Sequence, residues 1–330
     1  MPDGRLLLVY RHGTSHVDDS GRIVAREGSA DGHTWSAPRV LVDTPDIDDR
    51  DPSLAVRSNG EVLLTWFPYQ RHALEAGTLV LHQVFAARSL DGGHTFGEAI
   101  QVSGGPMSPE SARLGDSSWL AQGGDPLRVA ACSSPAVELG ATPVVPAYVG
   151  RAVDLDNLGG APRSRIALLR NEDGGWREDL VLPNAWPEVW LQEPSLLPLD
   201  DGRLLLHIRT ARGESPSSPG PLAQAIGREG VWTGWEDLGL VGHAPDLLQL
   251  DDGTILSAIR EVDDAFTTAR VSVLWSTDRA ASWSEPLRLL ECGEAECGYP
   301  SLLALEKGRV LVAWYGRGGR SIEMAVLQVR

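Results

Sequence analysis

The chain has 330 residues, 42% apolar and 22% charged, the composition of a folded protein able to bury a sizeable core. Its 45 acidic residues against 29 Lys and Arg give a formal net charge of −16, which argues against a nucleic-acid partner because phosphate binding needs clustered basic residues. No run approaches the roughly 18 apolar residues of a membrane span, so no membrane partner is expected.

Nothing leader-like precedes Asp3-Gly4, so the chain as given is expected in the cytoplasm, and outside the cell if a leader lies upstream of Met1. Cys132, Cys292 and Cys297 are too few for a disulfide framework. Cys292 and Cys297 are close enough in sequence to pair across a loop, but the expectation is three ordinary thiols. No histidine stands at a zinc-like spacing beside them, and neither a metal nor another cofactor is expected.

Taken in order, the chain repeats one hairpin six times around a turn glycine. The copies are PDGRLLLVYR at Gly4, PSLAVRSNGEVLLTW at Gly60, SPAVELGATPVVPAYVGR at Gly140, EPSLLPLDDGRLLLHIR at Gly202, APDLLQLDDGTILSAIR at Gly253 and YPSLLALEKGRVLVAWYGR at Gly308. Apolar runs flanking an Asp-Gly or Asn-Gly turn predict antiparallel strand pairs. Neighbouring turn glycines stand 56, 80, 62, 51 and 55 residues apart, and the longest interval holds a Gly/Ser/Pro-rich insertion from Gly104 to Gly124.

A second feature follows five of the six hairpins at steady distance. Ser29-Ala-Asp31-Gly32-His33-Thr34-Trp35, Ser89-Leu-Asp91-Gly92-Gly93-His94-Thr95-Phe96 and Ser276-Thr-Asp278 through Ser282-Trp283 are the well-formed copies, with worn ones ending at Trp176 and Trp232. A Ser-x-Asp turn closed by a buried ring predicts a third strand entering and a fourth leaving. Four antiparallel strands per unit, repeated radially, remove exposed edges as a β-propeller does. The expected fold is all-β, a six-bladed propeller in one domain over residues 1–330. The first unit as given lacks its innermost strand and the last its outer strand; roughly 20–25 residues before Met1 would supply both.

Charge then distinguishes the copies. Glu193 precedes the first strand of its hairpin and Arg209 ends the second, so the two emerge at one rim. Tyr299 holds the place of Glu193 in the last unit, and Arg260 and Arg317 also end second strands. Asp18 lies in a Val-Asp-Asp-Ser-Gly turn with Asp19 as its alternate. The acidic run Asp46–Asp51 lacks the glycine and spacing of an EF-hand, so it is expected to be a solvated loop.

With its Ser-x-Asp-x-Gly-x-Thr-Trp turns, Gln192-Glu193-Pro194 with Arg209, and Gly298-Tyr299-Pro300-Ser301, the whole chain resembles the sialidase (neuraminidase) superfamily of six-bladed, Asp-box propellers. The resemblance implies a retaining exo-glycosidase for a terminal acidic sugar of the sialic-acid type. Tyr299 would be the nucleophile, Glu193 its base and Asp18 the acid/base; Arg209 and Arg270 would clamp the sugar carboxylate, with Arg260 the rival of Arg270. Asp51, Arg50 and Arg11 would line the pocket. Arginine forks suit a carboxylate, and a neutral tyrosine avoids the repulsion that a carboxylate nucleophile would meet. The chain departs from the family in three places. Pro300 replaces a serine, His243-Ala-Pro-Asp246 replaces a serine-bearing motif, and the position of the family's Arg-Ile-Pro segment, which supplies the first of three clamp arginines, would fall before Met1.

Two other readings remain open. One is a lyase acting on uronic acid-containing glycans, with His12, His16 or His243 as base beside an arginine. The other is a non-catalytic, glycan-binding propeller. In each the partner is an acidic glycan or sialoside, and a monomer is expected.

Overall fold

The computed structural model describes residues 1, 3–74, 77–103, 128–151, 153–154, 163–172, 174–181, 188–228, 230–263, 267–293 and 296–329. The predicted insertion from Gly104 to Gly124 lies outside them. The chain divides into two compact units, Met1–Leu180 and Val181–Arg330. Both are built from antiparallel β-sheets, and among the described residues the only helical element is a single 3-10 turn, Glu306–Gly308. Among the described residues no helix is long and apolar enough to cross a membrane.

The first unit contains three sheets. The first joins β1 (Leu6–His12), β2 (Arg22–Gly28) and β3 (Arg39–Val42) in that order. The second runs through β4 (Asp48–Val56), β5 (Val62–Leu74), β6 (Gly77–His82), β7 (Val84–Ser89) and β8 (Ile100–Ser103), with the long β5 pairing β4, β6 and β7. The third contains β9 (Arg128–Ala131), β10 (Val137–Leu139), β11 (Thr142–Arg151), β13 (Arg165–Glu172) and β14 (Gly175–Val181), while the short β12 (Val153–Asp154) pairs with β6. Leu63, Val84, Val145, Ala147, Ala167 and Leu169 are buried together as one core, with Cys132 among them.

In the second unit, β15 (Val189–Pro198), β16 (Leu204–Arg212), β17 (Pro221–Arg228), β18 (Val231–Gln249), β19 (Ile255–Val262), β20 (Ala269–Ser276) and β21 (Leu287–Gly293) form one seven-stranded sheet in chain order. The 19-residue β18 closes one repeat with its first half and opens the next with its second. A three-stranded sheet follows, β22 (Gly298–Leu305), β23 (Arg309–Gly316) and β24 (Ser321–Gln328).

All six predicted turn glycines have positive φ, from 63° at Gly140 to 87° at Gly253, where a side chain would be strained. Two of the three well-formed Ser-x-Asp turns share one hydrogen-bond pattern, while at Ser29 the hydroxyl accepts the N–H of Thr34, five residues ahead. Ser89 and Ser276 each donate to the aspartate two residues on, at 2.7 and 2.8 Å, and each hydroxyl accepts the N–H four residues ahead. Asp91 and Asp278 then accept the backbone N–H and hydroxyl of Thr95 and Ser282. The following rings, Trp35, Phe96 and Trp283, are half-buried, less enclosed than the sequence suggests.

Cys292 and Cys297 are not ordinary thiols. They form a disulfide with Cα atoms 6.1 Å apart, fixing the end of β21 to the start of β22. The short interval between them left this open in the sequence; packing settles it, because Cys297 is fully buried in the core cluster that Cys292 also packs against. A closed loop of this size stabilises a fold by about 2 kcal/mol through the entropy it removes from the unfolded chain. Replacing both cysteines by serine is expected to lower the urea midpoint accordingly, and adding dithiothreitol to reproduce the shift in the wild type. An unchanged midpoint under both treatments would show that the bridge contributes nothing.

Candidate functional site

Four strands begin their hairpins with the same irregularity. The ladder register shifts between Arg50 and Ser53, Gln192 and Ser195, His243 and Asp246, and Gly298 and Ser301. Each shift spans an x-Pro pair: Asp51-Pro52, Glu193-Pro194, Ala244-Pro245 and Tyr299-Pro300. Proline has no N–H for the ladder and disfavours the right-handed helical region for the residue before it. The preceding residue is left-handed in every case, with φ of 46°, 46°, 44° and 49°. Such bulges re-aim a side chain, and non-glycine residues at positive φ cost about 1–3 kcal/mol each and gather at functional sites. Three of the four are predicted site residues.

In the second unit these bulges bring Glu193, Arg209 and Tyr299 together. Glu193 is 3% exposed. Its Oε1 accepts hydrogen bonds from the Tyr299 hydroxyl at 2.7 Å and from Arg209 Nη1 at 2.7 Å, and its Oε2 accepts the Ala244 N–H at 2.8 Å. Burial works against the charged form, but Arg209 foremost, then His243 and the two hydrogen bonds, bring its pKa down to about 2. It is therefore an ionised acceptor at neutral pH. The Tyr299 ring lies 5.9 Å from that of Tyr315, which closes the opposite strand.

Register explains the arrangement. Gln192 faces Arg209, His243 faces Arg260 and Gly298 faces Tyr315, so three hairpins present equivalent rim positions. His243 is neutral there: burial first, then Arg209 and Arg260, bring its pKa down to about 3 against the pull of Glu193. Arg270 stands on β20 opposite Glu261, with Nε donating to Glu291 at 3.2 Å and Nη1 3.9 Å from Glu261. The two rivals thus differ in setting, since Arg270 is held by carboxylates on both neighbouring strands.

In the first unit Arg11, Asp18 and Arg50 gather around Asp48, a fully buried residue the sequence reading left in a solvated loop. Arg11 donates to both Asp48 oxygens, at 2.6 and 3.0 Å. Arg50 Nη1 lies 3.5 Å from Asp48 and stacks over Tyr69, and the Asp18 N–H donates to Asp48 at 3.2 Å. Asp49, also buried, accepts from the Thr44 N–H and the Trp66 indole. The solvated-loop expectation fails because Asp48 and Asp49 open β4, where the arginines and backbone donors satisfy them. The Asp18 side chain accepts from the backbone and hydroxyl of both Thr14 and Ser20, which holds its carboxyl well below the usual range. Asp51, three residues beyond Asp48, is the left-handed residue of its bulge. Among the described residues no cluster of three or more His, Cys, Asp or Glu is arranged to hold a metal ion.

At two of these bulges the residue after the proline ties neighbouring hairpins. Ser195 accepts the Leu247 N–H at 3.1 Å, and Asp246, its equivalent, accepts the Leu302 N–H at 2.7 Å. Ser195 does this without charge, whereas burial raises the Asp246 carboxyl from 3.8 to about 6 against its hydrogen bonds to Leu302, Ser301 and Leu247. The folded chain then binds a proton more tightly than the unfolded one. This group's contribution is full below pH 3.8 and is lost as pH rises through about 6, a change on the order of 3 kcal/mol. Asp246→Asn is expected to abolish that slope and to be the more stable protein at pH 7. Parallel wild-type and variant unfolding curves between pH 4 and 7 would refute it.

No family model and no curated protein matches the sequence. Solved structures do match over nearly the whole chain. A protein of unknown function from Dyadobacter fermentans aligns with a TM-score of 0.73 and 22% identity, over 99% of this chain and 92% of that one. The Hadza microbial sialidase aligns at 0.68 and 16%, over 99% of this chain, which spans 63% of the length of that enzyme. The intramolecular trans-sialidase from Ruminococcus gnavus, solved with oseltamivir carboxylate, aligns at 0.66 and 11%, over 100% and 94%. At 22% identity or less, the likeness to these structures is one of fold.

Proposed function

We propose that the protein is a sialidase-like exo-glycosidase, folded as a six-bladed propeller, that hydrolyses a terminal acidic sugar with retention. One observation carries this reading: the Tyr299 hydroxyl donates at 2.7 Å to a buried, ionised Glu193. In the first step the phenol oxygen attacks the anomeric carbon, its proton passes to Glu193, and the bond to the leaving oxygen breaks. Water then cleaves the glycosyl–tyrosine bond and the proton returns. A sugar whose anomeric carbon bears a carboxylate repels an anionic nucleophile, and a phenol polarised by a neighbouring carboxylate avoids that repulsion.

Glu193 is a weak base while Arg209 holds it ionised, because the ideal proton acceptor titrates near the working pH. Arg209 therefore serves two ends, keeping Glu193 charged and adding a cation beside the sugar carboxylate. The leaving-group proton is assigned to Asp18 by its place in the sequence. Its bonds to Thr14 and Ser20 favour the ionised form, so that role requires them to be released. The Cys292–Cys297 bridge supports residence in an oxidising compartment.

The test is incubation of the full chain with 4-methylumbelliferyl α-N-acetylneuraminide and with a 3-fluorosialosyl fluoride, which slows the second step so that the intermediate accumulates. Fluorescence release and a mass increase of one fluorosialosyl group on the peptide containing Tyr299 are expected. Release without labelling of that peptide would remove Tyr299 from the mechanism, and neither signal would remove the sialidase reading.

A further inference from the structure

Three of the four x-Pro bulges are entered along a paired strand. Before Asp51, the residues Asp48, Asp49 and Arg50 pair with Tyr69, Pro68 and Phe67. Before Glu193, Val189 to Gln192 pair with Arg212 to Arg209. Before Ala244, Gly242 and His243 pair with Glu261 and Arg260, and β18 runs back to Val231 beside β17. Tyr299 differs. β22 begins at Gly298, so a single ladder pair, Gly298 with Tyr315, precedes the register shift.

A left-handed residue other than glycine persists only where its surroundings over-determine it. Downstream of Tyr299 the chain is fixed by the ladder from Ser301 to Leu305 and by the Leu302 N–H on Asp246. Upstream, a cross-link stands where the other bulges have a strand. Cys297 is bonded to Cys292 at the end of β21 and is fully buried in a cluster with Leu256, Val271, Val312 and Trp314. The Glu296 carbonyl beside it accepts the Gly318 N–H at 3.0 Å. Gly298 has φ of 151° and Tyr299 φ of 49°, so the backbone changes course between the bridge and Pro300. The bridge lies two residues ahead of a hydroxyl that sits 2.7 Å from Glu193 Oε1, and it fixes where that change of course begins.

We infer that the Cys292–Cys297 disulfide is the positioning element of Tyr299, and that its reduction reversibly switches off the chemistry at the Tyr299–Glu193 pair. The inference rests on the reading of Tyr299 as nucleophile and assigns that site its regulation. Cys292 is partly exposed and Cys297 is not, which sets the order of exchange. A thiolate of a dithiol reductant attacks Cys292 Sγ, the S–S bond breaks, and Cys297 leaves as a thiolate that takes up a proton. The second thiol of the reductant then displaces Cys292, and the reductant departs as its own disulfide. Two electrons and two protons have passed to the protein. The ladder then holds Gly298 through one pair, and Tyr299 relaxes out of the left-handed region, carrying its hydroxyl off Glu193.

The test assays the full chain on 4-methylumbelliferyl α-N-acetylneuraminide before dithiothreitol, after it, and again after reoxidation with oxidised glutathione. Free thiols are counted and circular dichroism is recorded in each state. Reduction is expected to lower kcat roughly 5- to 100-fold, the factor that released backbone strain of this kind corresponds to, with KM within about twofold. Labelling of the Tyr299 peptide by the 3-fluorosialosyl fluoride is expected to slow by the same factor, and reoxidation to restore both. A bridge that only stabilised the fold would shift the urea midpoint and leave kcat of the folded chain where it was. Cys292→Ser/Cys297→Ser is expected to start at the low kcat and to ignore dithiothreitol. Cys132→Ala is expected to keep the wild-type response, because that thiol is buried in the core of the first unit. An unchanged kcat in both the reduced chain and the double variant, a change confined to KM, or a loss that goes with the β-sheet signal overturns the inference and leaves the Tyr299 reading standing. An oxidised chain that leaves Tyr299 unlabelled overturns that reading, and the inference with it.

Discussion

Tyr299→Phe is expected to lower kcat on a 4-methylumbelliferyl sialoside by about 10³-fold or more, with KM nearly unchanged and the fold intact. The change deletes one oxygen. Glu193 keeps Arg209 and the Ala244 N–H, so the buried carboxylate remains paired, and the ring keeps its contact with Tyr315. Losing one hydrogen bond costs stability about 1 kcal/mol, too little to unfold a domain. The chemical cost is larger because the phenol oxygen forms a bond in the transition state, and removing a nucleophile typically removes most of the acceleration it shares with its base. Glu193→Gln should fall by a factor on the order of 10² to 10⁴, since it loses the proton acceptor and keeps the nucleophile. The two losses should not add, because the residues act as one device. A Tyr299→Phe variant within tenfold of wild type would exclude the covalent mechanism, whatever the fate of the fold.

How much of this was legible in the sequence follows from which interactions are local. A short turn with its glycine fixes the pairing of its own strands, so the six repeats and the meeting of Glu193 with Arg209 across a hairpin could be read directly. The x-Pro pairs announced interruptions in the ladder, but not that the residue before each proline would be left-handed. What escaped depends on register between strands. Asp48 reads as one acid in a polar run, and only its position at the start of β4 brings Arg11, which is 37 residues away, onto its carboxylate. The resemblance puts Arg270 ahead of its rival Arg260, and only the pairing of β19, β20 and β21 sets Glu261 and Glu291 beside it. That pairing includes two register shifts, so no simple alternation in the sequence could have predicted it. Cys292 and Cys297 were five residues apart in either reading, and their bond follows from the burial of Cys297 at the start of β22.

Glu193→Ala is expected to destabilise the protein by about 3–5 kcal/mol, the cost of breaking a buried pair from one side. The variant removes the carboxylate that accepts hydrogen bonds from Arg209, the Tyr299 hydroxyl and the Ala244 N–H. Acid gives an independent measure of the same interaction. The folded-state pKa of Glu193 is depressed from 4.5 to about 2, so its contribution is complete above pH 4.5 and is lost as pH falls through about 2. A depression of that size corresponds to about 3 kcal/mol, in line with the cost of truncation. Unfolding free energies from pH 7 to pH 2 should therefore converge for wild type and Glu193→Gln, with the gap widest above pH 4.5. Arg209→Met in the Glu193→Gln background should recover stability, because it removes a part-buried charge that no longer faces the Glu193 carboxylate. A gap that persists undiminished at pH 2 would show that Glu193 stabilises the fold by shape rather than by charge. It would also remove the electrostatic argument for an ionised base beside Tyr299, and so bears on the chemistry as directly as on the stability.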